Sequence, residues 1–216
     1  MPENSSPGLR LEKVRIGLNS RTLLSVDHHV GPADTLTIMG PSGSGKSTLL
    51  AYIGGFLDQD FVGEGRVICG GRDITILPAQ ERHAGILFQD PLLFPHMSVG
   101  GNLVFALPAS VTTVRERRTR AEAALEDVGL GGLFDRDPET LSGGQKARVA
   151  LARVLISEPN FLLLDEPFSK LDMQLRDQIR TLVFEQASRT RLPVILVTHD
   201  ESDARAARGD VIEVGA

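Results

Sequence analysis

The stretch GPSGSGKST, residues 40 to 48, has the residue types and spacing of a phosphate cradle. Gly40 to Ser47 fit G-x-x-x-x-G-K-[ST]. Gly40, Gly43 and Gly45 let the backbone curl, with Pro41, Ser42 and Ser44 between them, so that successive N–H groups point at phosphate oxygens. Lys46 has the reach for the β- and γ-phosphates, and the Ser47 hydroxyl suits a Mg²⁺ shell. Thr48 opens the helix expected to follow, whose positive end adds to the attraction. Such a loop needs a strand before it and a helix after it. TLTIM (35–39) and KSTLLAYIGGF (46–56) read as those two elements, the helix ending near Gly54 and Gly55.

A carboxylate pair stands farther along, where the apolar run FLLLDEP places Asp165 and Glu166 at a strand end. Adjacent side chains of a strand alternate faces. One acid is then free to approach Mg²⁺ while the other faces a water in line with the γ-phosphate. Asp165 is the metal-shell candidate, and Glu166 the general base or water-orienting group. Gln89 closes GILFQ and His199 follows VILVT, both at ends of expected parallel strands. Gln89 suits either Mg²⁺ or the attacking water, and His199 a hydrogen bond to the γ-phosphate. TLSGGQKARVA (140–150) then sets a serine and two glycines at the mouth of another helix. Ser142 is a good N-cap, and Gly143 and Gly144 leave amides open, so a second anion site is expected. A capped helix by itself explains Ser142 but not two consecutive helix-weakening glycines.

Those residues need a scaffold that lines up strand ends. The chain has 216 residues, enough for one domain with a real core. With 41% hydrophobic and 24% charged residues it is neither a disordered nor a membrane sequence. Short apolar runs at 35–39, 84–89, 160–165 and 193–198 alternate with helical patterns, which favours α/β with a largely parallel sheet whose strand ends form a ligand edge. Residues 9 to 38 and 61 to 77, rich in Val, Ile and Thr, read apart from that core strand as a small antiparallel sheet. Residues 91 to about 157 read as an inserted helical arm, with Ala121, Ala124, Leu125 and Val128 at helical spacing. The first eight residues are expected to fray. Neither a secretion signal nor a membrane-length apolar run is visible, and one cysteine, Cys69, excludes an internal disulfide, so a cytoplasmic protein is expected. A net charge of −5 argues against broad nucleic-acid binding.

The ordered set GPSGSGKST, FQ, LSGGQ, FLLLDE, SKLD and TH resembles the ATP-binding subunits of ABC transporters over nearly the whole chain. The resemblance implies a P-loop NTPase (RecA-like) α/β fold: a core of residues 1–90 and 158–216 with an antiparallel β subdomain, and a helical subdomain of residues 91–157 carrying the signature motif, all within a single domain of residues 1–216. It implies ATP and Mg²⁺ as ligands and ATP hydrolysis as the activity. Gly40 to Thr48 resemble the Walker A loop, Asp165 and Glu166 the Walker B pair, Gln89 the Q-loop glutamine, His199 the switch histidine, and Ser169 to Asp172 the D-loop. In this family two subunits meet head to tail, so Ser142, Gly143, Gly144 and Gln145 of one chain would cover the ATP held by its partner. Ser47, Gln89 and Asp165 become the expected metal shell, and Glu166, His199, Gln89 and Lys46 the expected catalytic set.

The implied partners are a second copy of the chain, permease subunits and a substrate-binding protein, with no direct nucleic-acid binding. The implied place is the cytoplasmic face of the inner membrane, and the implied task is driving a solute importer. A lipoprotein-release or cell-division ATPase is the main alternative, and a soluble ABC ATPase acting on nucleic acid or ribosomes the weaker one. Leu92, Leu93, Phe94 and Met97 fall where a permease helix docks in importer ATPases, though they equally suit plain core packing. The length and TILPAQERHAGILFQDPLLF resemble the small YnjD-type group. Two departures stand out. The chain stops at GDVIEVGA, so no C-terminal regulatory domain is expected, and no aromatic precedes the phosphate loop to stack on adenine. Ile16 and Leu18, or His28 and His29, are the substitutes available, and weak discrimination against GTP is expected.

Overall fold

A computed structural model describes residues 8–19 and 21–215. The strands are β1 (Leu9–Leu18), β2 (Arg21–Val30), β3 (Thr35–Met39), β4 (Phe61–Cys69), β5 (Arg72–Asp73), β6 (Ala84–Leu87), β7 (Phe161–Asp165), β8 (Val194–Thr198) and β9 (Asp210–Glu213). The helices are α1 (Lys46–Gly54), α2 (Ala79–Arg82), α3 (Val99–Ala106), α4 (Val114–Asp127), α5 (Gly143–Ile156), α6 (Met173–Arg189) and α7 (Glu201–Ala207), with a 3₁₀ turn at Pro138–Thr140.

Two sheets result. One is antiparallel in the order β2-β1-β4-β5, and the other has the order β6-β7-β8-β3-β9, with β7, β8, β3 and β9 paired in parallel. The difference follows from side-chain pattern. β3, β7 and β8 are apolar runs whose residues are nearly all buried, as strands covered on both faces must be. β1 alternates buried and exposed positions for most of its length, so only one face is covered. Leu9, Leu11, Val14 and Ile16 of β1 join Leu36 and Ile38 of β3 and Leu49, Leu50 and Ile53 of α1 in one apolar cluster.

The chain divides into two compact units. The first holds the described residues up to Ile86 together with Asn160–Glu166 and Phe184 onward; the second holds Leu87–Pro159 and Pro167–Val183. The second unit is built on α3, α4 and α5, which pack on one another, and Ala121, Leu125 and Val128 are buried there while Ala124 is half-buried.

Two expectations need correction, and one strand is added to the sheet. β6 stops at Leu87, so Gln89 lies beyond the strand rather than at its end. β9, an edge strand next to β3, was not anticipated, because DVIE is too short and too polar to stand out. Residues 1–7, where fraying is expected, lie outside the described residues, but Gly8 is held: its carbonyl accepts from Gly70 N at 3.0 Å.

Candidate functional site

The phosphate loop leaves the C-terminal end of β3, a strand buried up to Ile38, and turns into α1 through Gly45. At φ 88° that glycine is left-handed and occupies the N-cap position without a side chain to offer. A Cβ there would also meet the Leu23 Cβ at 3.1 Å. The helix therefore begins with no side-chain acceptor for its first amides, which is the arrangement that attracts an anion. Lys46 is 5% exposed, and its ammonium donates to the carbonyls of Gly40 (2.8 Å) and Pro41 (2.7 Å), with Ser44 Oγ at 3.5 Å. The loop is thus curled around its own lysine.

Two strand ends bring acids to this edge. The Ser47 hydroxyl donates to Asp165 Oδ1 at 2.9 Å, tying the start of α1 to the end of β7 across 118 residues of sequence. Burial pushes the Asp165 carboxyl above its ordinary range; the Ser47 hydrogen bond opposes this, Glu166 adds to it and Lys46 pulls against it. Glu166 does not continue the strand. At φ 46° it is left-handed, with its N–H donating to Val197 O at 2.9 Å. The separation of the two carboxylates therefore comes from a backbone turn and not from strand alternation, and left-handed non-glycine residues of this kind gather at working sites. Glu166 Oε2 lies 3.2 Å from Nδ1 of His199, whose side chain is 60% exposed just past β8.

The signature stretch is built differently. Ser142 is the N-cap of α5 and accepts from Gln145 N at 3.3 Å, while the Gln145 side chain accepts from Ser142 N at 3.0 Å, a complete capping box. The two glycines have separate reasons. A Cβ on Gly144 would come within 2.4 Å of Leu175 Cδ1, so packing explains that glycine. A Cβ on Gly143 would meet nothing within 4 Å, and Gly143 is exposed. Ser142, Gly143, Gln145 and Gln89 belong to the second unit, and Gln89 is exposed there.

Of the adenine substitutes, Ile16 is fully buried, which removes it as a base contact, and Leu18 remains half-exposed. His28 Nε2 is 3.2 Å from Asp210 Oδ2. Leu92, Leu93, Phe94 and Met97 are not core residues: none is buried, Leu92 is 58% exposed, and its backbone is left-handed at φ 47°. Phe94 packs edge-on against Phe105, itself 62% exposed.

Sequence reasoning passed over Arg82, which QERH presents as an ordinary surface charge. It is 6% exposed and donates to the carbonyls of Tyr52 (2.7 Å) and Ile53 (3.0 Å) at the C-terminal end of α1 and to Leu77 O (2.8 Å), with a further bond to Thr75 O. No periodicity marks such a residue.

A glycine loop between a buried parallel strand and a helix, with a carboxylate from another strand end on its hydroxyl, defines a P-loop nucleotide-binding protein. Residues 23–169 match the family model described as ABC transporter, and the chain belongs to that family, as an ATP-binding ATPase. It is 50% identical over 187 residues to the uncharacterized ABC transporter ATP-binding protein YnjD of Escherichia coli, covering 87% of this chain and 86% of that protein. It is 43% identical over 194 residues to the Fe(3+) ions import ATP-binding protein FbpC of Brucella abortus, covering 90% of this chain and 54% of FbpC. The FbpC of Agrobacterium fabrum is likewise 43% identical, over 183 residues. The chain spans about half the length of these FbpC relatives.

Proposed function

We propose that the chain hydrolyses Mg-ATP as one of two head-to-tail copies and so drives a membrane permease in the import direction. The observation that carries the hydrolytic reading is the pairing of Ser47 with Asp165 and of Glu166 with His199 at one edge of the parallel sheet. Among the described residues no group of three or more His, Cys, Asp or Glu side chains forms a metal cage. The Ser47 and Asp165 oxygens, 2.9 Å apart, are hard donors of the kind Mg²⁺ takes alongside substrate phosphates and water. When bound, Mg²⁺ would neutralise charge on the phosphate oxygens. Lys46 exchanges its carbonyl partners for phosphate oxygens, Glu166 accepts a proton from the attacking water, and His199 holds Glu166 and donates towards the γ-phosphate.

The head-to-tail reading is supported by Gly143, an exposed glycine on which a Cβ would meet nothing within 4 Å among the described residues. Import is supported by relatives named for Fe(3+) import, and a permease partner by the exposed Leu92 and Phe105. No helix among the described residues is long and apolar enough to cross a membrane, which fits attachment to the cytoplasmic face through permease subunits. A substrate-binding protein would complete such an importer.

Replacing Glu166 by Gln should leave ATP binding intact, stop turnover and trap an ATP-bound dimer; near-normal hydrolysis would remove Glu166 from its role. Lys46→Ala should instead weaken nucleotide binding itself. Mixing a Lys46→Ala chain with a Ser142→Arg chain places both defects on one composite site and leaves the other whole. Recovered activity supports the head-to-tail pair. Nucleotide-dependent cross-linking between the phosphate loop and the Ser142 turn tests the pair without requiring one intact site to suffice. Purification in detergent from the native membrane identifies the permease, and its absence from the eluate counts against the transport reading.

A further inference from the structure

His199 leaves β8 as an exposed side chain, and an exposed side chain needs a fixed backbone if it is to hold one geometry. The residues on either side supply that fixity. Thr198, 2% exposed, donates its hydroxyl to Asp203 Oδ2 at 3.1 Å, and Asp203 is itself 2% exposed in α7. The same hydroxyl oxygen accepts from Asp200 N at 3.0 Å, and the Asp200 carboxylate accepts from Ser202 N at 2.7 Å.

The direction of this relay is forced. The Asp200 amide can only donate, so it takes a lone pair of the Thr198 hydroxyl, whose own proton goes to Asp203 Oδ2. The bond from Thr198 to Asp200 spans His199 and closes a local turn around it. A buried carboxylate costs free energy unless it is well hydrogen-bonded, and an apolar residue would pack α7 onto β8 without that cost. Asp203 also lies in the first turn of α7, where an acid suits the helix's positive end, and from there its carboxylate accepts the Thr198 hydroxyl and orients it.

We infer that Thr198 and Asp203 are positioning residues for ATP hydrolysis: they hold the His199 backbone so that Nδ1 stays 3.2 Å from Glu166 Oε2. Both are buried, and both act through His199. The inference rests on the role proposed above for His199 and Glu166.

The test compares Thr198→Val, which keeps the shape and loses the hydroxyl, with Thr198→Ser, which keeps the hydroxyl. Asp203→Ala is compared with Asp203→Asn, which keeps an acceptor oxygen. Thr198→Val and Asp203→Ala should lower kcat about tenfold while KM for ATP stays within about twofold, because the phosphate loop is untouched. Thr198→Ser and Asp203→Asn should restore most of the rate. The spectroscopic arm uses histidine labelled with ¹⁵N, His199 being assigned from the signal lost in His199→Ala. Its ring resonances should respond to Glu166→Gln in the wild-type background and no longer respond in the Thr198→Val background. Normal kcat in Thr198→Val overturns the inference. So does a loss of rate that tracks lost thermal stability while the His199 ring still answers to Glu166. Normal turnover by His199→Ala defeats the underlying role of His199 instead, and the NMR response still decides whether Thr198 positions the ring.

Discussion

The two helices that open at glycine-rich turns, α1 and α5, start in opposite ways. α1 begins at a left-handed glycine with no side-chain cap, and its lysine folds back onto loop carbonyls. α5 begins with a closed capping box in which Ser142 and Gln145 satisfy one another. Both read as anion sites by sequence, yet α1 has no side-chain cap at its N-terminus. α5 is complete alone, and what it offers outward is the bare backbone at Gly143. The contrast teaches that the turn before α1 leaves its first amides without a side-chain acceptor, whereas the turn before α5 satisfies its own.

The largest effect should come from the far end of α1. Arg82→Ala removes four hydrogen bonds to carbonyls, those to Tyr52 and Ile53 buried, and should cost about 3 kcal/mol, measured by urea unfolding, although Tyr52 O keeps the Gly55 amide. A loss below about 1 kcal/mol would show that α1 does not need its C-terminal clamp. Next comes Gly45→Ala, expected to cost about 1–2 kcal/mol for the left-handed backbone and to weaken ATP binding at least tenfold. Unchanged nucleotide affinity would break the comparison, since the shape of the turn would then not matter.

A pair of substitutions at α5 sharpens the other side. Ser142→Ala removes the cap and should cost about 1 kcal/mol. Gly143→Ala fills open space at a helical position and should raise stability by up to about 1 kcal/mol, while lowering ATPase activity if this turn covers a partner's nucleotide. A Gly143→Ala protein that is both more stable and fully active would leave α5 as an ordinary helix.

The smallest effect concerns Cys69, which packs in the apolar cluster with Leu49, Leu50 and Ile53 of α1. Burial pushes its thiol up to about 11. Unfolded, it ionises near ~8.5, so the folded state binds the proton more tightly there. Its contribution to stability is full below that value and is lost as pH rises towards about 11. Being the single cysteine, it reports on the first unit alone. Alkylation of the native protein at pH 8 should be slow and should accelerate on unfolding; fast labelling would mean that the cluster around α1 opens readily.

Local chemistry made much of this legible in advance. The phosphate loop, the β3 and α1 that flank it, the end of α1 at Gly55 and the N-cap at Ser142 all follow from residue preferences over a few positions, as do the covered strands β7 and β8. Two misreadings share a cause. Apolar runs put Gln89 at a strand end and Glu166 on an alternating face because they do not say where pairing stops, and only neighbouring strands decide that β6 ends at Leu87 and that Glu166 turns left-handed. Tertiary structure alone decided that Ser47 meets Asp165, that Arg82 is a buried clamp, that Gly144 answers to Leu175 while Gly143 faces open space, and that Asp203 anchors Thr198. Each of these is a contact of one side chain with groups that some other element delivers. Propensity and periodicity act within an element, and such contacts exist only once the elements have packed.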